Sequence, residues 1–180
     1  MRLIPWPEIL RSLPDATRSA LKPYSIPVTA TTDAGVISTH VAADGLPFGI
    51  ARPAGDKPVY FFCPGIEADC STEPVDTSDF QRSSLYRKFV LYLAIEAQGI
   101  HRAHFGFPNL YVPFVTTNAA RLGSMMKVLE RLTGGTGSRT FLFRTFPAFT
   151  SFEKPPAPSG HMLTQDWQRV GHPRFNFLSS

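Results

Sequence analysis

Cysteine is nearly missing from this chain: Cys63 and Cys70 are the only two in 180 residues. They do not form a CxxC pair and no second pair exists, which excludes a four-ligand structural zinc site and a disulfide framework. Two reduced thiols in a reducing compartment are expected. Long apolar runs are missing too. The longest, residues 89–95, is far too short to span a bilayer. The start, MRLIPWP, lacks the apolar core of a signal peptide, so a cytoplasmic protein is expected. No run of five or more like charges occurs, which excludes a polybasic arm. Charged residues make up only 18%, against 43% hydrophobic. That balance favours a packed core over disorder, because enough apolar surface is buried to offset chain entropy.

Phenylalanine and proline are abundant instead, at 15 and 17 residues. The formal charge of +4 is a mild basic excess, which suits an anionic partner such as nucleic acid. The length fits one domain, 1–180, with no internal repeat.

Residues 1–27 read as a helical entry segment broken by proline, with helical turns near 7–13 and 16–21. A β-rich region follows. Val36 to Val41 is β-branched and follows the turn signal at Asp33 and Gly35; Asp44-Gly45 and Gly55-Asp56 are further turns. Strands are predicted at 36–41, 48–52 and 59–63, arranged as an antiparallel meander. The third is expected to run on irregularly through Pro64-Gly65 to Glu67 or Asp69.

The period then changes. Leu85, Phe89, Tyr92 and Leu93 recur at helical spacing after a capping Ser83 or Ser84, which predicts a helix over 84–98 stopped by Gly99. A buried strand is predicted over 110–116. A second helix, capped by Thr117 or Asn118, runs to about Thr133 with Leu122, Met125, Met126, Leu129 and Leu132 inward. A strand over 140–143 follows. The order α-β-β-β-α-β-α-β implies an α/β (α+β) fold with a central mixed sheet and helices packed on it. Residues 134–180 hold that last strand and a tail rich in proline and aromatics. Trp167, Phe175 and Phe177 are expected to dock the tail on the body. Trp6 is expected to anchor the entry segment.

Four residues suit chemistry: Asp44, Glu67, Asp69 and Lys88. Glu67 and Asp69 are two apart, so a regular strand turns both to one side. Neighbouring strands bring Asp44 to the same sheet edge, with Lys88 on the helix overhead. Acids from adjacent strands plus a lysine suit phosphodiester hydrolysis with Mg²⁺, which takes one or two carboxylates alongside water and phosphate oxygens. The alternative is that these are turn and surface acids with Lys88 solvated or paired to one of them. Arg82, Arg87, Lys88, Arg102, Arg121 and Lys127 are candidates for a basic, DNA-binding face; ordinary solvated helix charge is the other reading. His101 and His104, three apart, have a spacing that could hold a metal on a helix; because they follow Gly99 they are expected in a loop, in a DNA-facing or surface role. Gly134 to Arg139 (GGTGSR) lacks the Gly-Lys-Ser/Thr of a phosphate loop and reads as a helix stop.

Several stretches resemble the carboxyl-terminal part of bacterial plasmid replication-relaxation proteins, in that family's order. They are DGLPFGI (44–50), YFFCPGIEADCSTEP (60–74), SLYRKFVLY (84–92), HFGFPNLYVPFVTT (104–117) and the Met125-Met126 helix. The resemblance covers nearly the whole chain. It implies a restriction-endonuclease-like fold of the PD-(D/E)XK superfamily and a DNA-associated role in plasmid replication or mobilisation. It places Asp44 at the first acidic position and Glu67 at the second, as Mg²⁺ ligands. Asp69 stands where that pattern has a lysine, and Lys88 supplies an amine from the helix instead. The family's amino-terminal winged-helix region has no counterpart here, so a winged-helix or replication protein is an expected partner. A catalytically inactive nuclease fold, binding DNA or protein, is the alternative.

Overall fold

A computed structural model describes residues 1–32, 35–70, 73–77, 83–146 and 160–179. It is a mixed α/β structure with small antiparallel and parallel sheets and, among the described residues, six helices. The chain opens with strand β1 (Arg2–Ile4) and helices α1 (Trp6–Ser12) and α2 (Asp15–Arg18). Strands β2 (Ile26–Thr32), β3 (Gly35–Val41), β4 (Phe48–Arg52), β5 (Val59–Cys63) and β6 (Glu67–Asp69) follow. Helices α3 (Leu85–Ala97) and α4 (Ile100–Phe105) lead to β7 (Val112–Thr116), α5 (Ala119–Leu132) and β8 (Phe141–Thr145). A last short helix, α6, spans His161–Thr164.

In place of the expected central mixed sheet, the described strands form three small sheets, β1-β4-β5 and β2-β3 antiparallel and β6-β7-β8 parallel, and the expected three-strand meander divides between the first two. Strand β3 pairs antiparallel with β2, from Ile26↔Val41 to Thr32↔Gly35. The hairpin of β4 and β5 forms as expected, but β1 lies on the other edge of β4, where β3 was expected. Pro27 hid β2 in the sequence. A proline in a strand argues against a central position, and β2 has only one partner, so it sits at an edge that tolerates one. The alternation is nonetheless plain in the structure, with Ile26, Val28 and Ala30 buried.

Helices α3 and α5 follow their caps. Ser84 Oγ accepts from Arg87 N at 3.1 Å, and Asn118 Oδ1 accepts from Ala120 N and Arg121 N at 2.8 and 3.2 Å. These satisfy donors that a helix start leaves unpaired. Gly99, at φ +64°, stops α3. The expected loop after it is instead α4, with Gly99 and Gly106 at its ends, so His101 and His104 lie on a helix, and His101 is buried instead of at the surface.

The parallel ladder β6-β7-β8 needs both faces covered, and both are. Alternate residues part cleanly. Phe114, Phe141 and Phe143 join the larger cluster with Phe89, Tyr92, Met125 and Leu129 from α3 and α5. Leu142 joins Ile50, Phe61, Cys63, Trp167, Phe175 and Phe177 on the opposite face. The two ladders connect through β5, where Tyr111 N donates to Phe62 O at 2.8 Å and Phe62 N to Asn109 Oδ1 at 3.0 Å.

Between β5 and β6 the chain passes Pro64-Gly65. Gly65 has φ +143°, and a Cβ there would lie 2.1 Å from Gly45 O. Gly45 N in turn donates to Ile66 O at 3.1 Å. This contact of bare backbones holds the loop bearing Asp44 against the start of β6.

Two outcomes are expected. Gly65→Ala should destabilise by about 3 kcal/mol or more, since it forces both a disfavoured φ and a backbone clash. Gly123→Ala, inside α5 with nothing within 4 Å of the new methyl, should stabilise by about 0.5–1 kcal/mol. Urea unfolding of the two variants checks both signs. Separately, burial holds the imidazoles of His101 and His104 below the ordinary value of 6.5. The unfolded chain therefore binds those protons more tightly, and stability is present above 6.5 and lost as pH falls through the depressed values. Melting temperatures at pH 7.5 and 5.5 should show a drop on acidification, made smaller by His104→Asn.

Candidate functional site: an acidic cleft under helix α3

Strand β6 has the burial order in–out–in, so Glu67 and Asp69 face the same side, as their spacing predicts. That side is covered by α3 and α5, and the two acids meet different helices. Lys88 Nζ, from α3, donates to Glu67 Oε2 at 2.9 Å, and Tyr92 Oη, one turn on, donates to Glu67 Oε1 at 2.7 Å. Asp69 meets α5. Arg121 holds it through both Nε and Nη2, the latter at 2.6 Å from Oδ1, and Thr116 Oγ1 donates to Oδ2 at 3.0 Å.

Asp44 comes in from the loop before β4. Its Oδ2 accepts from Ala68 N at 2.9 Å and lies 3.8 Å from Lys88 Nζ. Glu73 completes the ring, 3.5 Å from the same ammonium, with Ser83 Oγ donating to its other oxygen at 2.7 Å. Asp44, Glu67, Ala68, Asp69, Glu73, Leu85 and Lys88 line a cavity of about 100 Å³. Exposure is graded across it: the side chain of Glu67 is 2% exposed, Lys88 23% and Asp44 49%.

The electrostatics follow from that gradient. Burial pushes the Glu67 carboxyl above the usual carboxylate range, and the opposing pull of Lys88 and the Tyr92 hydrogen bond is smaller. Burial alone would lower Lys88, but the Glu67 carboxylate, then Asp44 and Glu73, outweigh it and raise the ammonium. The Tyr92 phenol is pushed well up by burial and by Glu67, so it stays a donor. Three carboxylates thus face one ammonium, leaving the cleft negative.

That donor set fits Mg²⁺: hard oxygens, an excess of negative charge, and one partly exposed carboxylate beside a buried one. Among the described residues no group of three or more His, Cys, Asp or Glu side chains is placed to cage a metal by itself.

Asp44, Glu67 and Lys88 are thus brought together, and Asp69 lines the same cavity with its carboxylate turned to Arg121. The arginines are dispersed. Arg87 lies half-buried on α3, next to Lys88 in sequence. Arg121 is committed to Asp69 and Glu73 O. Arg102, exposed on α4, borders a different cleft beside Glu96 and Arg139. Arg82 lies outside the described residues, as do the Pro155–Pro158 segment and the Asp33-Ala34 turn.

Tyr92, Glu73 and Thr116 belong to the site and were not singled out from sequence. Tyr92 had a signal: it lies four residues after Lys88 on one helix face, where its hydroxyl reaches what the ammonium reaches. Compared with known protein families, curated proteins and solved structures, the chain matches none.

Breaking the cluster should show its worth. Lys88→Met strands a buried carboxylate and should cost about 3 kcal/mol in urea unfolding. Tyr92→Phe removes a hydrogen bond to a charge and should cost about 2 kcal/mol. The pair Glu67→Leu with Lys88→Met should cost less than Lys88→Met alone, because the buried carboxylate is removed together with its partner.

Proposed function

We propose that this chain is a DNA-associated protein of the replication-relaxation type, with a nuclease-like site that hydrolyses a DNA phosphodiester. The observation that carries the reading is the meeting of Asp44, Glu67 and Lys88 in one negative cleft at a sheet edge. The chain order supports it: an antiparallel hairpin, a strand ending in Glu67-x-Asp69, a helix, then a parallel strand. This is consistent with the restriction-endonuclease-like arrangement that the sequence resemblance implies.

Asp44 and Glu67 would hold Mg²⁺. When bound, the ion activates water and neutralises charge building on the phosphate. The chain's own residues do the rest. Tyr92 fixes one oxygen of Glu67 and leaves the other toward Lys88. The Lys88 ammonium, raised by its three acidic neighbours, stays charged and offers its protons to a phosphate oxygen entering the cleft. Asp69, held by Arg121 and Thr116, anchors β6 to α5 and keeps Glu67 in register. Without a cation the cleft repels a phosphodiester, because three carboxylates outnumber one ammonium.

A second reading, a nuclease fold that binds DNA or a winged-helix partner without cutting, is favoured by one observation. Asp69, at the position where the nuclease pattern has a lysine, is occupied by Arg121.

Supercoiled plasmid incubated with the full chain and Mg²⁺ should be nicked, and EDTA should stop it. Asp44→Ala and Glu67→Ala should each lower the rate at least about a hundredfold. Nicking that survives the double substitution would overturn the site assignment; binding of DNA with no Mg²⁺-dependent nicking would select the second reading.

A further inference from the structure

The parallel ladder has two ends, and the acidic cleft occupies one of them, level with Phe114 and Thr116 of β7. The other end carries a second cleft of about 180 Å³, between the C-terminal turn of α3, helix α4 and the approaches to β7 and β8. Its walls include Glu96, His101, Arg102, Tyr111, Arg139 and Thr140. The volume is several times the ~30 Å³ share of one water.

Its charge is opposite to that of the first cleft. Arg102 and Arg139 are both exposed, and among the described residues neither makes an ion pair or side-chain hydrogen bond. Glu96 is the one acid on the wall, and hydroxyls engage it: Thr140 Oγ1 donates to one oxygen and Ser138 Oγ to the other at 3.4 Å. A third guanidinium, Arg169, is fixed close by. Its Nε donates to Pro173 O at 2.7 Å and its Cζ lies 5.4 Å from the Phe175 ring centre. Phe175 stacks on Tyr111 at 5.0 Å. His101, 3% exposed, adds a buried imidazole to the wall. Asn109 is already spent, bonded to Phe62 N and Tyr60 O.

Two unpaired guanidinium groups at one concave site, with the nearby acid satisfied by hydroxyls, suit a tetrahedral oxyanion. Planar forks donate in pairs to phosphate oxygens, and such charge-assisted bonds are the strong ones. We propose that this cleft is a phosphate-binding site, with Arg102 and Arg139 as the groups that hold the anion. It is separate from the acidic cleft and requires no metal. The phosphate comes either from a nucleic-acid backbone or from a free phosphate or phosphomonoester.

The test uses the full chain in EDTA, which removes any contribution from a metal at the acidic cleft. One arm titrates inorganic phosphate against the arginine Nε–H resonances. The other measures anisotropy of a labelled 20-base-pair duplex of arbitrary sequence at low salt. Arg102→Gln and Arg139→Gln should each weaken binding about tenfold in at least one arm. Arg11→Gln, an exposed residue on α1, removes the same charge elsewhere and should change it less than about twofold. Loss in the phosphate arm assigns a free anion, and loss confined to the duplex arm assigns a backbone phosphate. Absence of saturable binding in both arms, or equal weakening by Arg11→Gln, overturns the proposal. Neither result depends on whether plasmid is nicked.

Discussion

A carboxylate taken out of water costs several kcal/mol unless its charge is met, and Glu67 is almost wholly enclosed. Its two oxygens are met by an ammonium and a phenol that stand one turn apart on a single helix. This contact ties a three-residue strand to α3, as Asp69 ties it to α5 and the parallel ladder ties it to β7. The same contact sets where the ammonium sits, and so how near Asp44 and Glu73 come to it. Fold and site are therefore not separable at this point: whatever loosens Glu67 loosens both.

The legible parts of the structure were those that rest on local rules. Helices α3 and α5 announce themselves through a capping side chain, a 3.6-residue stripe and a terminal glycine, all within one stretch of chain. The hairpin of β4 and β5 likewise follows from a glycine turn between apolar runs. The spacing of Glu67 and Asp69 puts both on one side as expected, but they lie on β6, beside β7 in the parallel sheet, and Asp44 reaches them by accepting from Ala68 N instead of through the pairing of β4 with β5. Long-range pairings leave no such local mark. Strand β3 has similar alternation toward either neighbour, and Pro27 gives β2 the local signal of a break. Tyr92 looked like one more member of an apolar stripe, since its ring belongs to the core while its hydroxyl belongs to the cleft. Arg121 finds Asp69 across 52 positions, which no spacing argument reaches.

The distribution of charge has a plain geometric origin. Parallel strands send all their leading ends one way and all their trailing ends the other, and loops at the two ends are built from different parts of the chain. Here one end gathers acids from the β3–β4 connection and β6, and the other gathers arginines from α4 and the turn before β8. Helix α3 runs between them, with Lys88 at one end and Glu96 at the other. Each of those two charges is opposite to the prevailing sign around it; Lys88 is ion-paired with its acidic neighbours, and Glu96 accepts from the hydroxyls of Ser138 and Thr140.

The second apolar face closes late in the chain's own order. Trp167, Phe175 and Phe177 supply much of the cover over Ile50, Phe61 and Cys63, more than a hundred positions earlier. While the protein is being made from its amino end, that surface of the sheet stays bare until residues 167–177 have left the ribosome. The α3 and α5 side can assemble sooner, since all its parts precede residue 146 apart from Val170. A nascent chain stalled before Trp167 would thus leave Ile50, Phe61, Cys63 and Leu142 without that cover, an apolar surface of the kind that chaperones bind.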